Sequence, residues 1–131
     1  MEQHYLLDTH ALLFWVESTG ISAEFIHFLD EQQSLGRLCV STISFWEMAL
    51  LVKKGRIAVA DVHAWKNDLL NNTALQLLEP SATEMIDSVS LPDHHKDPFD
   101  RLLIAQANRR NMTLVTRDTE IAMYDVSLFW M

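Results

Sequence analysis

The chain has 131 residues, 49% of them hydrophobic and 21% charged, which suffices for one globular domain with its own core. Its formal net charge of −8 argues against a general polyanion binder, because such proteins carry an excess of basic residues. The single cysteine, Cys39, excludes an internal disulfide, and no stretch has the pattern of a signal peptide or a membrane span. We therefore expect residues 1–131 to form a single cytoplasmic domain without membrane contact.

Strand and helix signals alternate along the chain. In chain order we predict a strand over 4–7, helices over 9–16 and 23–33, a strand over 37–40, helices over 41–54 and 62–71, a strand over 74–78, helices over 81–88 and 98–111, a strand over 112–116, a helical turn over 119–124 and a strand over 126–130. This alternation predicts an α/β fold, with a mostly parallel five-stranded sheet flanked by helices on both faces. In such sheets ligands bind beyond the carboxyl ends of the strands.

The densest group of chemically active residues lies at the start of the predicted helix over 98–111. Pro98 suits the first helical position, which makes Asp97 the N-cap. Asp100 falls in the first turn, where the helix dipole favours negative charge. Asp97 can be explained without a metal or catalytic site, because it can cap the helix and form an ion pair with Arg101. Asp100 is explained less well in this way, and we interpret it as a candidate metal ligand.

Three further acids are predicted near the same place. Asp8 directly follows the first strand and Asp118 closely follows the fourth, so both belong at one edge of the sheet, although each is also a possible N-cap. Glu47 shares a helix face with apolar residues, so we expect it to be at least partly buried. The alternative for Glu47 is a capping box with Ser44.

Crowded carboxylates repel one another and raise each other's pKa values, and a divalent cation removes that repulsion. An all-oxygen set of Asp8, Glu47, Asp100 and Asp118 suits Mg²⁺ or Mn²⁺ better than Zn²⁺. No cysteine cluster and no zinc-type histidine spacing is present in the sequence. The residues alone thus point to a hard-cation site.

Four motifs in this order resemble those of the PIN-domain family, and within it the VapC-like toxins of bacterial toxin–antitoxin pairs. They are Leu7-Asp8-Thr9-His10 with Leu13 and Trp15, Ser41-x-x-Ser44-x-Trp46-Glu47, His95-x-Asp97-Pro98-Phe99-Asp100-Arg101-x-Leu103-x-Ala105-Gln106-Ala107, and Thr116-x-Asp118. Each motif is weak alone, but together they span nearly the whole chain. The resemblance implies a Mg²⁺- or Mn²⁺-dependent endoribonuclease with a parallel five-stranded sheet between helices.

The resemblance also assigns roles to residues. The acidic catalytic and metal-binding positions of the family carry over to Asp8, Glu47, Asp100 and Asp118. Asp97 belongs to an Asp-Pro-Phe-Asp-Arg variant of the third motif and is an additional candidate metal ligand, so whether Asp97 or Asp100 lies closer to the metal stays open. Thr116 matches a hydroxyl position beside the last acid and is, with Arg101, a candidate substrate-binding residue.

Several neighbouring residues have two interpretations. Arg101 either contacts a substrate phosphate or pairs with Asp97. The basic residues at the end of the helix over 41–54 and just after it either form a solvated helix end or belong to an RNA-binding rim: Lys53, Lys54 and Arg56. Two further expectations concern larger sets. We expect His94 and His95 at the third motif to be exposed loop residues. We expect three aromatic residues to lie in the core rather than to stack on bases: Trp15, Trp46 and Phe99.

The resemblance further implies RNA as substrate, a cognate antitoxin as partner, and a homodimer. We expect apolar residues of the first two helices to be incompletely covered, leaving a groove for an antitoxin peptide: Leu12, Phe14, Trp15, Phe25 and Phe28.

Two other functions compete with the ribonuclease. One is a PIN-like module that binds RNA or protein with weak or no nuclease activity. The other is a small Mg²⁺-dependent phosphatase, which would want an Asp-x-Asp pair after the first strand, where this chain has Asp8-Thr9-His10.

Overall fold

Five short strands form one parallel sheet in the computed structural model, which describes residues 2–131. The strands are β1 (Tyr5–Leu7), β2 (Leu38–Ser41), β3 (Gln76–Leu78), β4 (Thr113–Val115) and β5 (Leu128–Phe129), in the spatial order β3-β2-β1-β4-β5. The helices are α1 (Thr9–Glu17), α2 (Ala23–Ser34), α3 (Thr42–Lys53), α4 (Val62–Asn72), α5 (Ala82–Ser90) and α6 (Pro98–Arg109), and a 3₁₀ turn covers Ile121–Met123. The predicted α/β architecture is confirmed.

The core lies on both faces of the sheet because neighbouring residues of a strand point to opposite sides. One face of the central strands presents Leu7, Val40 and Val115 to a cluster that includes α1, α2 and α4. The other face presents Leu6 and Leu114, among others, to α6 and the start of α3. The central strands are therefore mostly apolar, as parallel strands covered on both sides usually are, with Ser41 and Thr113 at strand ends.

The expectation that α1 and α2 carry poorly covered apolar residues is wrong for three of the five. Leu12 and Phe25 are fully buried and Trp15 is 7% exposed. The reason is the carboxyl-terminal segment, which covers this side of the sheet: the ring of Trp130 packs edge-to-face on Phe25, with centroids 4.8 Å apart. Exposed apolar side chains lie on α5 instead, at Met85, Ile86 and Val89. Within residues 2–131, no helix is long and apolar enough to cross a membrane.

A buried ion pair fastens α5 to the end of α6. Ser81 and Glu84 form a capping box at the start of α5, and the Glu84 side chain is 1% exposed. Arg110 donates from Nε to Glu84 Oε2 (2.8 Å) and from its terminal nitrogen to Glu84 Oε1 (3.0 Å). These bonds hold the pKa of the Glu84 carboxyl below its usual value, so the ion pair stabilises the fold wherever that carboxylate is charged.

Arg110→Met should lower the free energy of unfolding by about 2 kcal/mol, because it leaves a buried carboxylate without its partner. The loss is measured by urea denaturation at pH 7. The matched control is Arg109→Met, which breaks an exposed pair with Asp87 and should cost less than about 1 kcal/mol. Equal losses in the two variants would contradict a special role for the buried pair.

Candidate metal centre at the carboxyl edge of the sheet

Asp8 stands at the point where β1 gives way to α1. Its backbone N–H donates to the carbonyl of Val115 (3.1 Å), which ties the end of β1 to the end of β4. Its Oδ1 accepts from the N–H of Ala11 (2.7 Å) as the N-cap of α1. One carboxylate oxygen thus serves the helix, and the residue is only 7% exposed.

Asp118 is held in the loop after β4, the strand next to β1. The Thr116 hydroxyl accepts from the N–H of Asp118 (3.1 Å), and Asp118 Oδ1 accepts from the N–H of Glu120 (2.8 Å). These turn contacts leave Oδ2 of Asp118 directed at the start of α6, where it meets a histidine. Parallel pairing of β1 with β4 therefore brings Asp8 and Asp118 to one edge.

The start of α6 carries two acids with different surroundings. Asp97 is the N-cap, as predicted, and its Oδ1 accepts from the N–H of Phe99 (2.9 Å). Asp100 lies one turn further, with a side chain 16% exposed. Ligand atoms of His95, Asp100 and Asp118 all lie within 4.8 Å of one another. Asp100, rather than Asp97, thus lies next to Asp118.

Glu47 approaches the cluster from α3 and is half-buried, as expected. The capping-box alternative is wrong: Ser41 is the N-cap of α3, and the hydroxyl of Ser44 accepts a hydrogen bond from Thr9 (3.1 Å). Glu47 lines a groove of about 600 Å³, which we call the α3 groove. Its lining also includes His10, Leu50, Leu51, Lys54, Arg56, Ile57, Lys96, Asp97, Pro98 and Phe99.

The acids perturb one another. Burial, followed by repulsion from Asp97, Asp8 and Glu47, raises the pKa of Asp100 to about 7. Burial also raises the pKa values of Asp8 and Glu47 above their usual range, and repulsion from nearby carboxylates adds to it. Within residues 2–131, no lysine or arginine forms an ion pair with any of these acids.

A buried, oxygen-rich set of mutually repelling carboxylates is the donor set that a hard divalent cation prefers. The residues present therefore fit Mg²⁺ or Mn²⁺. Asp100 and Asp118 are the acids whose oxygens lie within 4.8 Å of each other. Asp8, Glu47 and Asp97 are close enough for their charges to raise the pKa of Asp100, and Glu47 and Asp97 line the α3 groove.

His95 departs from the expected exposed loop residue, because its side chain is only 11% exposed. Its Nε2 lies 3.0 Å from Asp100 Oδ2 and 3.1 Å from Asp118 Oδ2. Burial alone lowers the pKa of His95, but the hydrogen bond to Asp118 and the charges of Asp100, Asp118 and Glu120 outweigh it and raise the pKa above its usual value. His94 is exposed, as expected.

The loop between α5 and α6 is fixed by two side chains. The Tyr124 hydroxyl accepts from the N–H groups of His94 (3.1 Å) and His95 (2.8 Å) and donates to the carbonyl of Pro92 (2.6 Å). Arg101 donates to the carbonyls of Leu91 (2.9 Å), Pro92 (3.0 Å) and His95 (3.1 Å).

These contacts bear on both interpretations of Arg101. Its ion-pair partner is Asp93, at 3.7 Å, and not the expected Asp97. Its guanidinium is occupied by loop carbonyls and its side chain is 12% exposed, so the structure places it as a support for the loop rather than in the α3 groove.

Trp46 was expected in the core, and this expectation is wrong. It is 63% exposed on α3, where it packs edge-to-face against Phe99 with ring centroids 5.0 Å apart. Trp15 is buried, as expected. Lys54 and Arg56 line the α3 groove beside Glu47, which favours the rim interpretation over a purely solvated helix end.

A family model described as the PIN domain matches residues 5–127. The chain belongs to the PIN-domain family. The match covers the strands β1 to β4 and every acid of the cluster, so the fold is that of a PIN domain. No curated protein matches the chain.

Solved structures share the fold over nearly the whole chain at low identity. The structure titled "Crystal structure of DNA bound VapBC from Salmonella typhimurium" has a TM-score of 0.72 and 16% identity, covering 98% of both chains. VapBC2 from Rickettsia felis, bound to a fragment of promoter DNA, has a TM-score of 0.68 and 17% identity, covering 97% of this chain and 98% of that one. The structure of FitAB bound to an IR36 DNA fragment has a TM-score of 0.70 and 20% identity, covering 95% of this chain and 93% of that one.

Without metal, the protein should be less stable at pH 8 than at pH 5. A carboxyl whose pKa rises on folding binds more protons in the folded state, so Asp100 lowers stability as pH climbs from about 4 to 7. The raised pKa of His95 acts in the same direction, because its stabilisation is complete below its unfolded value and fades as pH passes its folded value.

Asp100→Asn should therefore flatten the pH profile and raise the melting temperature at pH 8 by about 4 °C or more, measured by calorimetry in EDTA. The control is Asp61→Asn at the N-cap of α4, where Asn caps as well as Asp, and its profile should parallel that of the wild type. A wild-type melting temperature that rises from pH 5 to pH 8 would contradict the repulsion.

Proposed function

We propose that this PIN domain is a Mg²⁺- or Mn²⁺-dependent endoribonuclease that acts in the cytoplasm as the VapC-like toxin of a toxin–antitoxin pair. The observation that carries the proposal is the cluster of acids from β1, α3, α6 and the β4 loop, with the pKa of Asp100 raised to about 7. The likeness in fold to the VapBC and FitAB structures supports the toxin assignment.

Asp8 and Asp100 are proposed as the main holders of the cation, and Glu47 and Asp118 as outer ligands that orient water. When bound, the cation activates water toward the phosphodiester and neutralises charge on the phosphate. Thr116 keeps Asp118 in its turn and adds a polar contact to Asp8, so we assign it a positioning role close to the substrate. A carboxylate of the cluster then accepts the proton of the attacking water.

The α3 groove is the proposed path of the RNA. Glu47 and Asp97 lie within it, and Lys54, Arg56 and Lys96 supply positive charge along its walls. Cationic side chains beside an acidic centre attract the phosphate backbone, which the net charge of −8 would otherwise repel. The recessed acids favour single-stranded or loop RNA, whose backbone can enter a groove.

A PIN-like binding module is the second candidate, since all the acids can persist without turnover. Metal-dependent cleavage separates it from the nuclease. The phosphatase is disfavoured because the position two residues after Asp8 is His10, a lining residue of the α3 groove, instead of a second acid.

With Mn²⁺ or Mg²⁺, the purified protein should cut single-stranded RNA, and EDTA should abolish cleavage. Asp8→Asn and Asp100→Asn should each lower the rate by about 100-fold or more, since each removes a charged holder of the cation. Asp97→Asn should retain most of the activity because Asn caps α6 about as well as Asp. Rates are measured on a labelled oligoribonucleotide, with folding checked by circular dichroism.

Asp61→Asn, remote from the cluster, serves as the control for adventitious nuclease and should cut like the wild type. An inactive Asp97→Asn beside an active Asp100→Asn would reverse the assignment of the two acids. Undiminished cutting in EDTA would contradict the metal-dependent mechanism, and the absence of cutting by the metal-loaded wild type would favour the binding module.

An antitoxin is the proposed protein partner, and a homodimer the proposed assembly. A basic side chain of an antitoxin segment lying in the α3 groove would meet Glu47 and Asp97 and oppose metal binding. The exposed side chains of Met85, Ile86 and Val89 on α5 offer an apolar surface for a second subunit.

The protein should elute as a dimer, and Ile86→Lys with Val89→Lys should shift it to a monomer, because two charges then face the subunit boundary. The measurement is light scattering after gel filtration. Ala49→Lys, an exposed position on α3, is the control for added charge. A wild type that is monomeric at high concentration would overturn the dimer. A dimer that persists in the protein carrying both Ile86→Lys and Val89→Lys would place the interface elsewhere.

A further inference from the structure

The imidazole of His95 lies between Asp100 and Asp118, and neither the family resemblance nor the acid pattern gives it a role. Its side chain is 11% exposed, against 16% for that of Asp100. It meets Asp118 through a hydrogen bond and Asp100 through a close contact at the same nitrogen, Nε2. One ring therefore bridges acids that come from α6 and from the β4 loop.

The other ring nitrogen determines which role the ring can play. Nδ1 accepts a hydrogen bond from the N–H of Asp97 (3.1 Å), so in the neutral ring the proton sits on Nε2. A protonated Nε2 donates to a carboxylate and offers no lone pair to a metal. Glu120 also reaches Nδ1, at 3.2 Å, but its side chain is 57% exposed. It could accept only from a protonated Nδ1, and the N–H of Asp97 would then lose its acceptor.

The ring is held before any ligand arrives. Tyr124 accepts from the backbone N–H of His95, and Arg101 donates to the carbonyl of His95 (3.1 Å), so both ends of this residue's backbone are fixed. The imidazole is therefore a rigid donor, oriented by the loop, and it fixes Asp118 relative to Asp100.

We propose that His95 is a positioning residue of the metal centre, which donates from Nε2 to Asp118 and holds that carboxylate beside Asp100 in the arrangement a divalent cation requires. The proposal rests on the proposed metal-dependent function. Groups that hydrogen-bond to metal-binding carboxylates in this way typically change metal affinity by about 10–100-fold when they are lost.

The test compares His95→Gln, His95→Asn and His95→Ala. The glutamine amide reaches the place of Nε2 and can donate to Asp118, whereas the asparagine amide reaches only the place of Nδ1 and can replace only the contact with Asp97. The rise in melting temperature with Mn²⁺ concentration at pH 8 gives the affinity of each folded variant. His94→Gln is the matched control, because the His94 side chain is exposed and outside the cluster.

Alanine and asparagine should weaken Mn²⁺ binding by about 10-fold or more, while glutamine should stay within about 3-fold of the wild type. RNA cleavage should follow the same order. Rescue by asparagine instead of glutamine would overturn the proposal, since His95 would then act only on the loop. Equal Mn²⁺ affinity in all variants would overturn it as well.

Metal selectivity separates positioning from direct ligation. Loss of a positioning donor should weaken Mg²⁺ and Zn²⁺ binding by similar factors, because the cation's own ligands are unchanged. Loss of an imidazole ligand would weaken Zn²⁺ selectively and would overturn the proposal. A wild type that binds no divalent cation overturns both this inference and the proposed function, whereas a metal-dependent wild type with unaffected His95 variants overturns this inference alone.

Discussion

Repulsion among carboxylates is the constraint on which the site depends. The fold brings five acids to one end of the sheet, and lysine and arginine side chains of the described chain leave them unpaired. Such an arrangement is unfavourable in the absence of a counter-charge, so it persists only because packing elsewhere holds the backbone. The apolar strands, buried on both faces, provide that support. The site is thus strained by its charges and stabilised by its scaffold.

Three of the acids also have a structural role, for which each uses one oxygen of its carboxylate. Asp8 and Asp97 each give one oxygen to the first turn of a helix, and Asp118 gives one to a turn. Because one oxygen is bound to the backbone, the rotamer of each side chain is fixed without the help of further side chains, and the other oxygen can face the site. This double use also explains why an N-cap interpretation and a site interpretation of the same acid are compatible rather than exclusive.

The sequence was sufficient for the architecture and for the convergence of the acids. Helix caps, apolar strands and the rule that parallel strands end at one edge place Asp8, Asp100 and Asp118 together. The predicted and observed ends of the elements agree within about two residues.

The features that could not be predicted from the sequence depend on long-range packing. Two adjacent histidines look alike in sequence, and both donate a backbone N–H to the hydroxyl of Tyr124. Only the ring of His95 meets Asp100 and Asp118, acids that are three or more residues away along the chain. Trp46 lies in an apolar run, yet it stays 63% exposed on its helix, with the ring of Phe99 packed against it. The expected partner of Arg101 was Asp97 or a substrate phosphate. Its guanidinium instead donates to backbone carbonyls, which no sequence pattern marks.

The pairing of β1 with β4 affects the order in which the parts of the acid cluster come together during folding. Tyr5 pairs with Thr113, so the two central strands are among the most distant in sequence, whereas β1, β2 and α3 can assemble from the first half of the chain. Contacts between distant segments form late, and during synthesis they wait for the later segment to emerge. Asp118 and Tyr124 both lie beyond β4. A partly made chain therefore holds Asp8 and Glu47 without the residues that complete the cluster, and the proposed metal centre forms only after the segment beyond β4 has been made.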